Sequence, residues 1–105
     1  ARIQPEIALA VIEVESKFDR FAISKAGAQG YMQIMPFWLK RLGRSDASLF
    51  DPRTNLRMGC TILRYYYDIE RGNLANTLAR YNGSYGKRDY PDLVIRALNR
   101  RWYLS

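Results

Sequence analysis

The chain has 105 residues, of which 48% are hydrophobic, and this size suits one domain with one hydrophobic core. Its net charge of +7 favours an anionic partner, without choosing among nucleic acid, an acidic membrane surface and an acidic polymer. Histidine is absent and Cys60 is the only cysteine, which excludes the usual metal and haem ligand sets, histidine-dependent triads and an intramolecular disulfide. No cofactor or metal is therefore expected, and carboxylate chemistry or binding remains.

The sequence gives little sign of how the chain is targeted. Its longest uninterrupted apolar run, over residues 7–12, is too short to span a bilayer, so no transmembrane segment is expected. The N-terminus lacks the pattern of an export signal, so we expect that any such signal has been removed or lies upstream of Ala1. The basic residues are spread along the chain and form no dense run, which argues against a nucleic-acid partner.

The first predicted helix extends from Pro5 to Phe18. Proline suits a first helical turn because it lacks an amide donor that would be unpaired there. Apolar residues then recur at the helical spacings of three and four. They are Ile7, Val11, Val14 and Phe18.

The middle of the chain predicts a loop and two further helices. Residues 19–30 contain glycine and serine without sustained periodicity and are predicted to be a loop. A second helix is predicted to begin near Tyr31, with Pro36 close to its start or at a kink. A long third helix should follow Asp51, a favourable N-cap, and Pro52.

The last third of the chain predicts two more helices. Residues 72–73 supply a stop for the third helix, and residues 74–81 form a short fourth one. Pro91 can open a last helix. No segment alternates in the manner of a strand, so the fold class is all-α: residues 1–105 should form one compact helical domain with no substantial β-sheet.

Glu15 is the carboxylate that best fits acid catalysis. It lies one turn after Val11, at the edge of the apolar stripe, where a charged side chain is costly unless something uses it. Burial there would raise its pKa from about 4.3 toward roughly 6, a range in which a carboxylic acid can protonate a leaving group. An alternative is that Glu15 only borders the core and reaches solvent or an arginine.

The other carboxylates have simpler interpretations. Glu13 falls on the polar side of the first helix and is predicted to be a solvated surface charge. A second catalytic carboxylate would need a defined separation from Glu15, which Asp19 or Asp46 could supply only by chance of folding. The sequence therefore favours chemistry with a single carboxylate.

Three ordered blocks of sequence, at matching separations, carry a family resemblance. They are Glu15-Ser16 with Ala22-Ile23-Ser24 and Gly27-Ala28-Gln29-Gly30-Tyr31-Met32-Gln33-Ile34-Met35-Pro36; Asp51-Pro52 with Asn55 and Gly59-Cys60; and Ala79-Arg80-Tyr81-Asn82-Gly83. Together they closely resemble the signature of the soluble lytic transglycosylase family. Two departures, Tyr31 in place of leucine and residues 83–86 in place of alanine-glycine-proline-glycine, affect the expected shape of the groove wall.

The resemblance implies a lysozyme-like domain with a substrate groove, acting on bacterial peptidoglycan in the periplasm or cell envelope. Glu15 would act as acid and then as base in cleaving the β-1,4 bond between N-acetylmuramic acid and N-acetylglucosamine, which leaves a 1,6-anhydromuramoyl product. Ser24, Gln33, Met35 and Tyr81 would bind the glycan strand. The family needs no cofactor, and a monomer is expected.

Several residues of these blocks also have a simpler structural interpretation. Serine at position 24 also suits a loop turn, Met32 and Ile34 are predicted to be core residues, and Asn82 should hold a turn. Two other functions remain open: a goose-type lysozyme that delivers water to the same bond, and a peptidoglycan-binding or nucleic-acid-binding helical module in which Glu15 has no catalytic role.

Overall fold

The structure, a computed structural model, describes residues 2–102. Within these residues the chain forms five α-helices and a terminal π-helical turn. They are α1 (Pro5–Ser16), α2 (Phe37–Arg41), α3 (Pro52–Ile69), α4 (Leu74–Asn82), α5 (Asp89–Ala97) and the π-turn (Leu98–Trp102). The same residues contain only isolated β-bridges and no strand. The predicted all-α class is confirmed, and no helix of the described range is long and apolar enough to cross a membrane.

The core is built around α1, which packs against α5 and the π-turn. Ala10 and Val11 of α1 are fully buried, and Leu63 of α3 and Val94 of α5 are buried with them. Each large apolar side chain removed from water in this way stabilises the fold by about 1.5–3 kcal/mol. The central position of α1 makes its C-terminal end a well-supported place for a functional side chain.

Helix α1 ends at Ser16, two residues earlier than predicted. Lys17 is the left-handed cap, with φ of 51° and its N–H bonded to Glu13 O at 3.1 Å, and Phe18 is also left-handed, with φ of 64°. Left-handed residues cannot continue a right-handed helix. The prediction that Phe18 belongs to the apolar face of the helix is therefore wrong: its side chain lies past the helix end and is 45% exposed.

The second helix begins at Phe37, so the predicted start near Tyr31 is also wrong. The chain folds back on itself instead, because Gln33 is left-handed and the backbones of Gln29 and Ile34 exchange two hydrogen bonds of 3.0 and 3.1 Å. Pro36 occupies the N-cap of α2, so its predicted place at the helix start is confirmed.

The predicted start of the third helix is confirmed, whereas its predicted stop and the predicted start of the last helix are each displaced by two or three residues. The Asp51 carboxylate accepts a hydrogen bond of 3.0 Å from Thr54 N, and Pro52 is the first residue of α3. Helix α3 stops before the predicted residues 72–73, and Asn73 then caps α4. Helix α5 begins at Asp89, which places Pro91 in its first turn.

A buried amide fixes residues 29–34, which we call the site segment, against α3. Asn55 Oδ1 accepts from Met32 N at 2.8 Å, while Nδ2 donates to Gln29 O at 2.9 Å and to Leu49 O at 2.8 Å. Gly30 is required at this contact, because a Cβ there would overlap Asn55 Nδ2 and Leu49 O, and its φ of 78° favours glycine. The site segment thus has one position relative to α3.

Replacing Asn55 with alanine should destabilise the fold strongly. Met32 N and Leu49 O would lose their partner, whereas Gln29 O keeps its bond from Ile34 N, and each buried group left unpaired costs about 1–3 kcal/mol. We expect urea denaturation of N55A to give an unfolding free energy lower by about 3 kcal/mol or more. The exposed Asn99→Ala control should stay within about 0.5 kcal/mol of wild type. An N55A protein as stable as this control would contradict the assigned role.

Candidate active site

Glu15 is the penultimate residue of α1 and is half-buried. Burial raises the pKa of its carboxyl group from 4.5 to about 7, and the neighbouring Tyr90 hydroxyl partly opposes this rise. The last turn of a helix also disfavours a negative charge, because the unpaired carbonyl groups carry partial negative charge. At neutral pH a large share of Glu15 is therefore the protonated acid, ready to donate.

Two tyrosines flank Glu15. Tyr81 Oη donates a short hydrogen bond of 2.6 Å to Met32 O, which ties α4 to the site segment. Burial first, and then the nearby charge of Glu15, raise the pKa values of Tyr81 and Tyr90 well above 10. Both phenols are therefore neutral near pH 7.

Tyr90 is a neighbour of Glu15 that sequence reasoning missed. Its hydroxyl is buried and has no partner of hydrogen-bond geometry among residues 2–102, although it lies close enough to Glu15 to lower that residue's pKa. Such loosely aligned contacts are common in unliganded active sites and tighten when substrate binds. With eight tyrosines in the chain, no spacing singled out this one; its position beside Pro91 in the first turn of α5 was the available signal.

The site segment is joined to α1 and to the loop that follows it. Ser16, directly after Glu15, places Oγ 2.8 Å from Tyr31 O and 3.2 Å from Ile12 O. The Gln33 side-chain Nε2 donates to Ala22 O at 3.1 Å and Gly30 O at 2.9 Å. These bonds hold the backbone around Glu15 from two sides.

The structure places the five residues predicted to form the site in different surroundings from one another. Tyr81 lies beside Glu15, and Gln33 belongs to the hydrogen-bonded frame of the site segment. Ser24 is exposed and its Oγ accepts from Ala28 N at 3.0 Å, so the structure gives it a turn-forming role. Met35 is half-buried just before α2. The substrate contacts of these side chains stay predictions.

The structure also tests several predicted packing and turn-forming roles. Met32 and Ile34 are buried, with exposures of 0% and 2%, which confirms them as core residues. Asn82 Nδ2 donates to Ser84 Oγ at 3.0 Å and so holds the turn, as expected. Cys60 is half-buried, and burial raises the pKa of its thiol.

The prediction for Glu13 is wrong. Its side chain is only 20% exposed, accepts from Trp102 Nε1 at 3.2 Å and pairs with Arg101 Nε at 3.1 Å. The π-turn folds back over this side of α1, and a helical wheel drawn from local sequence does not include that long-range contact. Glu13 therefore links α1 to the π-turn at the far end of the described chain.

Among residues 2–102, no second carboxylate contributes to the pKa shift of Glu15. Asp19 Oδ1 accepts from Phe21 N at 2.9 Å in its own turn, and Asp46 is exposed. Glu70 pairs with Arg80 on the α3–α4 side of the fold. Within residues 2–102 no group of three acidic or cysteine side chains is arranged to hold a metal ion. The site offers one carboxylic acid and two phenols.

This fold and this site define a lysozyme-like helical domain built around one acidic side chain. Residues 1–90 match the family described as the Transglycosylase SLT domain, and the chain belongs to this family. It is 30% identical, over 92% of its length, to the "Transglycosylase" of Enterobacteria phage PRD1, and 30% identical, over 80% of its length, to "Membrane-bound lytic murein transglycosylase C" of Yersinia pestis. The chain spans only 38% and 28% of these relatives.

Solved structures agree with this assignment. The 70 kDa soluble lytic transglycosylase of Escherichia coli aligns over 93% of this chain and 16% of its own, with a TM-score of 0.69 and 30% identity. A 70 kDa soluble lytic transglycosylase in complex with bulgecin A aligns over 93% of this chain and 17% of its own, with a TM-score of 0.70 and 28% identity. The predicted family and lysozyme-like fold are confirmed.

The raised pKa of Glu15 makes a prediction about stability. The folded state holds this proton more tightly than the unfolded state, so Glu15 lowers the unfolding free energy as pH rises from 4.5 through about 7. Between pH 4 and pH 9 we expect wild type to lose about 3 kcal/mol relative to Glu15→Gln, which cannot ionise. Urea denaturation across this range measures the difference. Parallel curves for the two proteins would show that Glu15 titrates normally.

Removing the Tyr90 hydroxyl should separate its electrostatic role from its packing role. In Tyr90→Phe the group that lowers the Glu15 pKa is gone, so that pKa should rise, while loss of an unpartnered buried hydroxyl should leave stability equal or higher. Carbon NMR of the labelled Glu15 carboxyl measures the first effect and urea denaturation the second. The exposed Tyr65→Phe is the matched control. A Glu15 pKa that is unchanged or lower in Y90F would contradict the contact.

Proposed function

We propose that this chain is the catalytic domain of a lytic transglycosylase that cleaves bacterial peptidoglycan, with Glu15 as its acid and base. The observation that carries the proposal is a buried carboxyl group with a pKa of about 7, between two neutral tyrosines and without a second carboxylate beside it. An acid with this pKa can give up a proton and take one back near neutral pH. Membership of the SLT family supports this chemistry.

In the first step, protonated Glu15 donates to the oxygen that links C1 of N-acetylmuramic acid to C4 of N-acetylglucosamine. The C1–O bond breaks and positive charge develops on the muramic acid ring. The acetamido oxygen of the same sugar is placed to support that charge. This support from the substrate removes the need for a nucleophilic carboxylate, in keeping with the single acid at the site.

In the second step, the Glu15 carboxylate removes the proton from the muramic acid 6-hydroxyl. The freed oxygen bonds to C1 and closes a 1,6-anhydro ring, while Glu15 regains its proton. No water is consumed, so atoms balance within the substrate and one side chain. The Tyr90 hydroxyl stabilises the carboxylate between the two steps, because it lowers the pKa of Glu15 relative to burial alone.

The substrate proposal extends to binding and location. Gln33, Met35 and Tyr81, with Ser24 in the neighbouring turn, would line the path of the glycan strand. One relative is named as a membrane-bound lytic murein transglycosylase, which supports action in the bacterial cell envelope. The net charge of +7 suits a substrate whose muramic acid peptides carry carboxylates. We propose that the domain works as a monomer.

Replacing Glu15 with glutamine tests the proposal directly. Without a proton to donate, E15Q should release muropeptides at least about 100-fold more slowly than wild type, while circular dichroism shows the same helical fold. Glu6→Gln, the same substitution in the first turn of α1, should keep wild-type activity. Mass spectrometry of the wild-type products should show 1,6-anhydro ends. Reducing ends, one water heavier, would indicate a lysozyme, and undiminished cleavage by E15Q would exclude Glu15 as the acid.

A further inference from the structure

A continuous groove runs between α2 and α3, and we call it the α2–α3 groove. It consists of two cavities of about 290 and 300 Å³, and Leu42 and Thr61 line both of them. The first cavity extends along α3 to Tyr65, and the second extends in the other direction to Arg57. At the helical rise of about 1.5 Å per residue, these two residues lie about 12 Å apart along α3. The groove is therefore long enough for about four residues of an extended chain.

The end of the groove near Tyr65 is aromatic. Trp38 lines it, and its ring packs edge-on against that of Tyr66, with the ring centroids 6.4 Å apart. The Tyr66 ring in turn lies 5.4 Å from the ring of Tyr65. Ile62 lines the same end and is buried. Rings already packed against one another lose little freedom when a ligand binds, so this end is suited to an apolar side chain.

The opposite end of the groove is basic. Arg44 and Arg57 line it, and Arg41 lies between the two ends. All three are exposed and form no ion pair within residues 2–102, and none of the carboxylates of this range lines either cavity. The Arg41 guanidinium lies 5.2 Å from the ring centroid of Phe37 and 5.3 Å from that of Trp38, which holds it in place. Three arginines without a carboxylate beside them select an anionic ligand.

The groove opens on the side of α3 that faces away from the site segment. A Cβ at Gly59 would overlap the Met32 side chain, so Gly59 marks the face of α3 that packs on the site segment. Arg57 and Thr61 each lie two residues from Gly59, which is roughly 200° around the helix. None of the side chains proposed to bind the glycan lines the groove. A ligand held there leaves the path of the glycan strand free.

We propose that the α2–α3 groove docks an extended acidic segment of a partner protein. The segment places one aromatic or aliphatic side chain against Trp38 and Tyr65. Its carboxylates pair with Arg44 and Arg57. Tryptophan, tyrosine and arginine are the residue types that carry most binding energy at protein interfaces, and all three line this groove.

Charge and shape select this occupant over two others. A second copy of the chain would bring another net charge of +7 to the arginines, which disfavours self-association. A membrane surface is bound best by apolar side chains that protrude into the lipid, whereas Trp38, Leu42 and Ile62 line a concave groove. Docking of a protein segment holds the catalytic domain beside its partner with Glu15 still open to substrate.

Labelled synthetic peptides test the docking site directly. Each short peptide carries one phenylalanine separated by a single serine from a run of aspartate and glutamate. Either direction along the groove is possible, so one peptide has the phenylalanine before the acidic run and another has it after. We expect one or both to bind wild-type protein in fluorescence anisotropy, and to lose affinity at least about fivefold when the acids become amides or the phenylalanine becomes alanine.

A pair of arginine variants tests the basic end. Arg44→Gln/Arg57→Gln should weaken binding of the acidic peptide about tenfold, roughly what two solvent-exposed charge pairs contribute. The matched control is Arg96→Gln/Arg100→Gln, which removes the same charge from two exposed positions on α5 and the π-turn. This control should bind the peptide as wild type does.

A pair of tyrosine variants tests the aromatic end. Tyr65→Ala should weaken binding at least about fivefold, because it removes one wall of the apolar cavity. Tyr85→Ala is the matched control, since the exposed fractions of the two residues are 56% for Tyr85 and 57% for Tyr65. Tyr85 does not line the groove, so Y85A should keep wild-type affinity.

The outcomes that would overturn the proposal are distinct from a failure of the proposed function. The docking site would be excluded if neither acidic peptide bound, if the amide peptides bound equally well, or if R96Q/R100Q weakened binding as much as R44Q/R57Q. Binding of phosphatidylglycerol vesicles that requires Arg44 and Arg57, without peptide binding, would overturn it in favour of a membrane surface. E15Q should bind the peptide like wild type, and R44Q/R57Q should cleave peptidoglycan like wild type, because the groove and the acid lie on different sides of α3.

Discussion

The Asn55 side chain is the contact on which the rest of the site depends. Its three hydrogen bonds hold residues 29–34 against α3, and this fixed segment then supplies Met32 O to Tyr81 and Tyr31 O to Ser16. Three helices that are distant in sequence are thereby positioned through one irregular stretch of backbone. An irregular segment can be this rigid because its buried polar groups are paired, and such pairing is worth more inside a protein than at its surface.

The buried carboxyl group of Glu15 lowers the free energy of unfolding near neutral pH. A carboxyl group whose pKa rises from 4.5 to about 7 is one whose charged form the fold disfavours, by about 1.4 kcal/mol for each pKa unit. A domain with a typical unfolding free energy of about 5–15 kcal/mol can tolerate this cost only if its remaining contacts are well formed. The burial that weakens the fold near neutral pH is the same burial that gives the acid a useful pKa. Stability and chemistry are coupled through one side chain.

The sequence predicted the features whose signals act between residues close in sequence, and it missed those that depend on distant residues. Asp51 and Pro52 marked the start of α3, and the position of Glu15 beside the apolar stripe indicated a desolvated carboxylate, because caps and helical periodicity act within a turn or two. The second helix is predicted to begin near Tyr31, whereas the observed fold-back there depends on the distant Asn55. The same limit applies to Glu13, which the π-turn covers from the far end of the described chain.

The two consecutive left-handed residues after α1 connect these observations. Lys17 and Phe18 adopt a conformation that costs side chains of their size about 1–3 kcal/mol each, and such strain persists only where surrounding contacts impose it. Glu13 anchors the last turn of α1 from one side and Ser16 anchors it from the other, so the helix must end immediately after the acid. Ending there turns Lys17 and Phe18 away from the helical path, while Glu15 stays beside Tyr81 and Tyr90. The position of the helix terminus therefore sets which side chains surround the acid.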